Sequence, residues 1–332
     1  MRILLDTEID RHKWDDILEN SPFASPFQTY KFYDFITAVP GYRATAMAIE
    51  YQGRYCALAV VTLQKENGIK GYFSRRGIIY GGPVFDPDCH EANELLLVKL
   101  VEVMRNHVIY FETRNFFDYG NQRESFSQHG WKYIPYQNFQ LKLSGKSLEN
   151  TLAGMDYNRK REIKISIKEG ATYAECQKEN DLKALYSILD ELYKARVRLP
   201  LPSLDFFNAF YRFGIGKVFI VKHNNVVIGG SFCPIFANRA IYTFYYCGIR
   251  DYHKKIFPTH LAVLAAIEYG VKNNIDTLDF MGAGKSDLEY GVRKYKKEFG
   301  GELVEHGRFL QVTQPHLYAL GKIGLKLMAK IH

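Results

Sequence analysis

One order of hydrophobic patterns occurs twice along this chain of 332 residues. In the first half, a short strand and two helices at residues 3–5, 14–18 and 30–39 come first. Three strand-like runs then precede a helix, a strand, a helix and a last strand. These predicted elements lie at residues 45–50, 55–63, 71–80, 91–106, 108–111, 123–128 and 133–143. The order is that of one mixed α/β unit.

The second half repeats this order after its own leading helices. Those helices are predicted at residues 148–169, 180–194 and 203–213. The matching strands and helices follow at residues 217–222, 226–236, 239–248, 258–273, 277–281, 288–297 and 302–312. Because the halves share little sequence, the repeat concerns the order of elements. It predicts two units, 1–145 and 146–314, each a mixed, mostly antiparallel sheet flanked by helices.

Five short segments carry more specific information. They are residues 25–30 (SPFQTY), 80–86 (YGGPVFD), 158–164 (NRKREIK), 279–282 (DFMG) and 295–301 (YKKEFGG). Together with the order of elements, they resemble the FemABX family, which carries two acyltransferase units of the GNAT superfamily in tandem. The resemblance implies an N-acyltransferase that moves an aminoacyl or acyl group onto an amine of a cell-envelope precursor such as that of peptidoglycan.

The resemblance also implies a set of site residues. It places a transition-state lysine at Lys296, where a fixed ammonium would stabilise the oxyanion of acyl transfer. It gives Asp86 the role of orienting or deprotonating the attacking amine. A solvated or RNA-facing cationic surface around Lys296, and a turn aspartate at position 86, remain open as alternatives. The implied substrate-binding residues are Gln28, Tyr80, Gly82, Arg159, Lys160, Arg161, Asp279, Gly282 and Arg293.

The predicted helix after residue 157 concentrates positive charge. Lys160, Lys164 and Lys168 follow i, i+4 spacing, and Arg159 and Arg161 lie beside them. A solvated helix usually mixes charges of both signs, whereas an arginine fork binds phosphate through two hydrogen bonds. The cluster therefore predicts either a phosphate-binding surface for a phosphate-bearing precursor or a plain basic face.

One feature limits what the resemblance implies about the donor. Residues 250–259, where a GNAT pyrophosphate loop would lie, contain no glycine. A loop without glycine does not bring successive backbone N–H groups close to a pyrophosphate. We expect no tightly bound cofactor, only a donor substrate that is aminoacyl-tRNA, with tRNA then a partner, or acyl-CoA.

Three readings of function stay open at this point. Besides the aminoacyl or acyl transfer to an envelope precursor, they are an acyl-CoA-dependent transferase for a surface glycan or lipid and a non-catalytic double-GNAT module that binds RNA or a membrane. The net charge of +8 fits any of these partners. The five scattered cysteines, with no C-x-x-C, predict reduced thiols, a cytoplasmic location and no metal site.

The C-terminal segment, residues 315–332, alternates apolar and basic positions at helical spacing. It predicts a basic amphipathic helix. Such a helix fits peripheral contact with an anionic membrane, or docking of its apolar face on the second unit.

Overall fold

A computed structural model describes residues 1–65, 70–287 and 291–331 of the chain. The strands are β1 (Arg2–Leu5), β2 (Arg43–Tyr51), β3 (Arg54–Gln64), β4 (Arg76–Gly81), β5 (Val84–Phe85), β6 (Tyr110–Asn115), β7 (Lys132–Ile134), β8 (Asn138–Lys142), β9 (Thr172–Glu175), β10 (Gly216–His223), β11 (Val226–Phe236), β12 (Ala240–Tyr242), β13 (Tyr245–Gly248), β14 (Thr277–Asp279), β15 (Glu302–Val304) and β16 (Arg308–Val312). The helices are α1 (Arg11–Asn20), α2 (Tyr30–Ala38), α3 (Lys70–Ser74), α4 (His90–Met104), α5 (Gln122–Gln128), α6 (Leu148–Ala153), α7 (Tyr157–Lys168), α8 (Glu179–Leu192), α9 (Leu204–Phe213), α10 (Pro258–Lys272), α11 (Gly291–Lys297) and α12 (Pro315–Ile331).

Two compact units divide the chain. Unit 1 combines Met1–Pro135 with His306–His332, and unit 2 is the continuous segment Tyr136–Glu305. This division differs from the predicted boundary near residue 145. The difference arises from the way in which the two sheets are completed.

Unit 1 contains a mixed sheet in the order β1-β2-β3-β4-β6-β16-β7, with β5 pairing β3. Only the β4–β6 pair is parallel among the described strands of this sheet. The middle of β3 is buried without alternation, which is the pattern of a strand covered on both faces. Helices α1 and α4 both contact β3.

Unit 2 has the corresponding sheet, in the order β15-β8-β14-β12-β11-β10-β9 with β13 pairing β11. The parallel pair is β12–β14. Helix α10 packs on β10, β11 and β13, and its residues from Leu261 to Ile267 are all buried. A helix that is apolar all round belongs in the interior, and this one forms the centre of the unit 2 core.

The last strand predicted for each unit is divided between the two sheets, an arrangement called here the strand exchange. The predicted strand 133–143 is interrupted at Pro135, so β7 pairs in the sheet of unit 1 and β8 pairs in that of unit 2. The predicted strand 302–312 is likewise interrupted near Gly307, whose φ is +67°, so β15 joins unit 2 and β16 joins unit 1. Proline lacks the N–H that a ladder needs, and a left-handed residue ends the extended backbone.

Three other predicted elements differ in detail. Residues 71–80 begin with the short helix α3, and only Arg76–Gly81 is strand. The long basic helix 148–169 is two helices, because the Asp156 carboxylate caps a new one by accepting the backbone N–H of Asn158 at 2.8 Å. The strand 239–248 is divided into β12 and β13. Asn67 and Gly68, a pair that favours a hairpin turn, lie outside the described residues, as do residues 288–290 of the predicted helix 288–297.

Helix α12 belongs to unit 1. The rings of Tyr318 and Tyr110 meet with centroids 5.2 Å apart, and α12 contacts α3. Leu320 and Ile323 remain exposed. Among the described residues, no helix combines the length and the apolar character needed to cross a bilayer.

Candidate functional site

Lys296 is a buried lysine in unit 2, with 6% of its surface exposed. It lies on α11, which is anchored to the core by Tyr295 and Phe299. Its ammonium donates to the carbonyl oxygens of Phe280 at 2.5 Å and Gly282 at 2.6 Å, just beyond the end of β14. A lysine ammonium has three N–H donors, so one has no partner among the described residues.

Asp279 is the last residue of β14 and is also buried. Its carboxylate accepts hydrogen bonds from Asn138 Nδ2 at 2.8 Å, from Gln140 Nε2 at 3.0 Å and from the backbone N–H of Met281 at 2.6 Å. Both amide side chains come from β8, the strand that follows the interruption at Pro135. Strand β8, predicted for the first unit, therefore contributes directly to this network in unit 2.

Burial acts on both charged groups of the network. It lowers the pKa of Lys296 to about 8, an effect that the nearby Asp279 carboxylate opposes. It raises the pKa of Asp279, against the hydrogen bonds from Gln140, Asn138 and Met281 and the charge of Lys296. A fixed cation with a pKa near neutrality, held in a low-dielectric interior, is typical of functional sites.

The loop after β14 is held in a strained but well-braced conformation. Met281, Gly282 and Gly284 have positive φ, and the Gly282 N–H donates to Asn138 Oδ1 at 2.7 Å. Arg293 donates through Nε to the carbonyl of Ala283 at 3.1 Å and through Nη2 to that of Lys285. The structure thus brings together four predicted site residues, Asp279, Gly282, Arg293 and Lys296.

The basic helix α7 separates its cations into two environments. Arg159 is buried between the rings of Tyr295 and Phe299, at 4.4 and 4.6 Å from their centroids, and pairs with Glu298 at 2.6 Å. Its guanidinium belongs to the core of unit 2 and is not on the predicted phosphate-binding surface. Arg161 is exposed, while Lys160 donates to the carbonyl of Ala153 at 3.1 Å.

Gln28 is a buried bridge between two strands of unit 1, and its predicted contact with substrate stays a prediction. Strand β3 pairs with β4 through residues 62–64 and with β5 through residues 57 and 58, which leaves Val60 between the two pairings. The Gln28 Oε1 accepts the Val60 N–H at 2.7 Å, and its Nε2 donates to the Tyr80 carbonyl at 2.8 Å. The Gln28 side-chain amide thus takes the place of the strand partner that Val60 lacks on this side of β3.

Tyr80 and Gly82 are also built into the interior of unit 1. The Tyr80 side chain is largely buried and lies under the guanidinium of Arg114, at 5.3 Å from the ring centroid. Gly82 has φ +83°, and a Cβ there would lie 2.1 Å from the Tyr119 hydroxyl. These positions shape the turn after β4, and their predicted contact with substrate stays a prediction.

Asp86 follows β5 in a tight turn. Its Oδ1 accepts the backbone N–H of Asp88 at 3.0 Å, and its Oδ2 pairs with Arg54. Burial raises the pKa of this carboxyl, but the Asp88 hydrogen bond and the Arg54 guanidinium outweigh that effect, and the net pKa is lowered. This is the geometry of the turn aspartate, and a carboxylate held in this way is a weak base.

The sequence reasoning missed Asn138 and Gln140. Both lie in a segment predicted as the last strand of the first unit, and no local pattern indicates that this strand belongs to the other sheet. Their alternation about Phe139 was the only signal, since it places both amides on one face of β8.

The FemAB family matches residues 212–324 of the chain. Among solved structures, FemX is 15% identical over 96% of this chain and 99% of its own, with a TM-score of 0.73. The C-terminal domain of a putative lysylphosphatidylglycerol synthetase from Agrobacterium fabrum is 11% identical over 96% of each chain, with a TM-score of 0.61. A tandem GNAT protein from the clavulanic acid biosynthesis pathway is 11% identical over 94% of this chain and 99% of its own, with a TM-score of 0.60.

No curated protein sequence matches the chain. The solved structures establish the fold, and the predicted pair of GNAT-like units is thereby confirmed. The family match covers α11 and the loop braced by Arg293 and Lys296, and it supports an activity of the acyltransferase type. Residues 212–324 are thus similar to the FemAB family, and the chain has the fold of FemX, built from two GNAT-like units.

Proposed function

We propose that this protein is an N-acyltransferase that moves an aminoacyl or acyl group from an activated donor onto an amine of a cell-envelope precursor. The observation that carries the proposal is the buried ammonium of Lys296, which keeps one donor beyond the carbonyls of Phe280 and Gly282. The FemAB match over the same segment supports an acyltransferase type of chemistry.

In the proposed reaction the acceptor amine attacks the carbonyl carbon of the donor ester or thioester. The new C–N bond forms as the carbonyl electrons move onto oxygen, and the remaining N–H of Lys296 donates to that oxyanion. Collapse of the intermediate expels the alcohol or thiol of the donor, which takes up the proton that the amine loses. A preorganised cation in a low-dielectric site stabilises such a developing charge without reorganisation.

Asp279 has a positioning role in this scheme. Its carboxylate, fixed by Asn138 and Gln140, favours the protonated form of Lys296 against the cost of burial. The scheme assigns no proton transfer to Asp86, because its pairing with Arg54 lowers its affinity for a proton.

The start of α10 favours aminoacyl-tRNA over acyl-CoA as the donor. A GNAT enzyme binds pyrophosphate at this helix N-terminus through free backbone N–H groups. Here Pro258 has no N–H, the Phe257 N–H donates to Ser166 Oγ at 2.9 Å, and the N–H of His260 is used within the first turn. Few donors are left for a pyrophosphate.

The exposed face of α7 supports a phosphate-bearing acceptor. Arg161, Lys164 and Lys168 are all exposed on this helix. The two acidic residues among them are engaged elsewhere, because Glu162 bonds to His260 and Glu169 pairs with Lys255. The cationic face is therefore poorly neutralised, and the exposed Leu320 and Ile323 of α12 give a second surface that suits a lipid-linked acceptor.

The test compares Lys296→Met with Lys297→Met, an exposed lysine of the same helix. Each protein is incubated with labelled aminoacyl-tRNA or acyl-CoA pools and an envelope-precursor extract, and transfer of label is measured. Loss of one oxyanion donor costs about 10²–10³ in kcat, so we expect this loss for Lys296→Met alone. Equal turnover in both variants would refute the role of Lys296. Absence of any transfer and of saturable donor binding in the unaltered protein would favour a non-catalytic module.

A further inference from the structure

Three side chains with affinity for metals meet in unit 1. The thiols of Cys56 and Cys89 and a carboxylate oxygen of Asp86 all lie within 4.8 Å of one another. Strand pairing explains the meeting: β3 pairs with β5, and the Asp86 N–H donates to the Cys56 carbonyl at 2.8 Å. The turn at Asp86 then returns the chain, so that Cys89 lies at the N-cap position of α4.

The spacing of these atoms is close to that of a tetrahedral zinc site. With Zn–S near 2.3 Å and Zn–O near 2.0 Å, tetrahedral angles place sulfur and oxygen about 3.5 Å apart and the two sulfurs about 3.8 Å apart. The Cys89 Sγ lies 3.6 Å from Asp86 Oδ2. Small side-chain rotations therefore suffice to bring the three ligands into place.

The surroundings compensate the charge of such a site. Two thiolates, one carboxylate, a divalent cation and the guanidinium of Arg54 sum to zero. Arg54 already donates to the Cys89 sulfur at 3.3 Å and pairs with Asp86. Its side chain is 60% exposed, so it can yield one carboxylate oxygen to a metal and still neutralise the ligands.

The three proposed ligands differ in exposure to solvent, and this difference gives a cation access to the site. Cys56 is fully buried, whereas Cys89 and Asp86 are partly exposed, so a cation can enter from solvent and keep water as a fourth ligand.

We propose that Cys56, Asp86 and Cys89 form a site for a thiophilic divalent cation of the Zn²⁺ type. The absence of a C-x-x-C from the sequence predicted no metal site. The two cysteines are brought together only by strand pairing and by the start of α4.

The test uses Co²⁺ as a spectroscopic probe of the reduced full-length protein, with thiols counted beforehand to exclude a disulfide. One equivalent of Co²⁺ should give sulfur-to-cobalt charge-transfer absorption, and added Zn²⁺ should displace it. Cys89→Ser should weaken binding by more than about 100-fold, because loss of a ligand costs more than loss of an outer partner. Cys176→Ser, a buried cysteine of unit 2, is the matched control and should bind as the unaltered protein does.

Because Cys56 is deeply buried, Asp86→Asn serves as a second variant that spares the core. It should retain the charge-transfer absorption with reduced affinity, since both thiolates remain. Circular dichroism of each variant before titration checks that the fold is retained. Absence of charge-transfer absorption in the reduced protein, or equal Co²⁺ affinity in Cys89→Ser and Cys176→Ser, would overturn the proposal.

Discussion

The bridging role of Gln28 can be tested by replacing it with methionine, which has a similar volume but no hydrogen-bonding amide. The change leaves the Val60 N–H and the Tyr80 carbonyl without these partners in the interior of unit 1. An unpaired buried backbone group costs about 1–3 kcal/mol, so two such groups should lower the free energy of unfolding of unit 1 by about 2–6 kcal/mol.

The assay can be confined to unit 1. Both tryptophans of the chain, Trp14 and Trp131, are buried in it, so their fluorescence during urea denaturation follows this unit. Hydrogen exchange at the Val60 amide gives a local measurement that needs no two-state assumption. The control is Gln128→Met, whose exposed amide bonds only to Glu124 and whose effect should stay within about 0.5 kcal/mol.

A loss below 1 kcal/mol with unchanged protection of the Val60 amide would refute the bridging role.

Three further predictions concern pH, a glycine and the strand exchange. Since folding lowers the pKa of Lys296 to about 8 from 10.5, the unfolded chain holds more protons between these values. Relative to Lys296→Met, stability should thus rise from pH 8 to 10 by up to about 1.4 kcal/mol per unit, while transfer activity falls above pH 8. Gly82→Ala should destabilise unit 1 by more than the roughly 1–2 kcal/mol expected for Gly120→Ala, since only the former meets Tyr119. A chain of residues 1–145 should not fold cooperatively, because it lacks β16 between β6 and β7.

Each of these has a result that would contradict it. A flat stability difference between pH 8 and 10 would mean that Lys296 is not desolvated. Equal melting temperatures for the two glycine variants would show that a Cβ at position 82 does not clash with Tyr119. For the exchange, the control joins Ile134 to Arg308 by a two-residue Asn-Gly turn, because these residues are direct partners in the β7–β16 ladder. The joined control chain should fold cooperatively. Equally cooperative folding of the 1–145 chain would contradict the assignment of β16 to unit 1.

The sequence was sufficient to predict the order of elements, since hydrophobic period identifies strands and helices locally. It could not predict which sheet the strands beyond Pro135 and Gly307 would join, because that depends on partners distant in sequence. Asn138 and Gln140 were missed for this reason.

Arg159 is a different case, because its burial could have been predicted from the sequence. It shares one helical face with Ile163 and Ser166 at i, i+4 and i+7, and all three are buried. Arg159 was assigned to the phosphate-binding surface because only the charge of the segment was considered, and not the helical spacing of its residues.

The strand exchange also sets the order in which the protein can complete its structure during synthesis. Unit 2 is continuous and has all of its strands once Glu305 has left the ribosome. Unit 1 begins at the first residue but waits for β16, which ends at Val312. Nascent domains generally fold from the N-terminus onwards. In this chain the N-terminal unit must instead remain an incomplete sheet, with the edges of β6 and β7 unpaired, until β16 has been made.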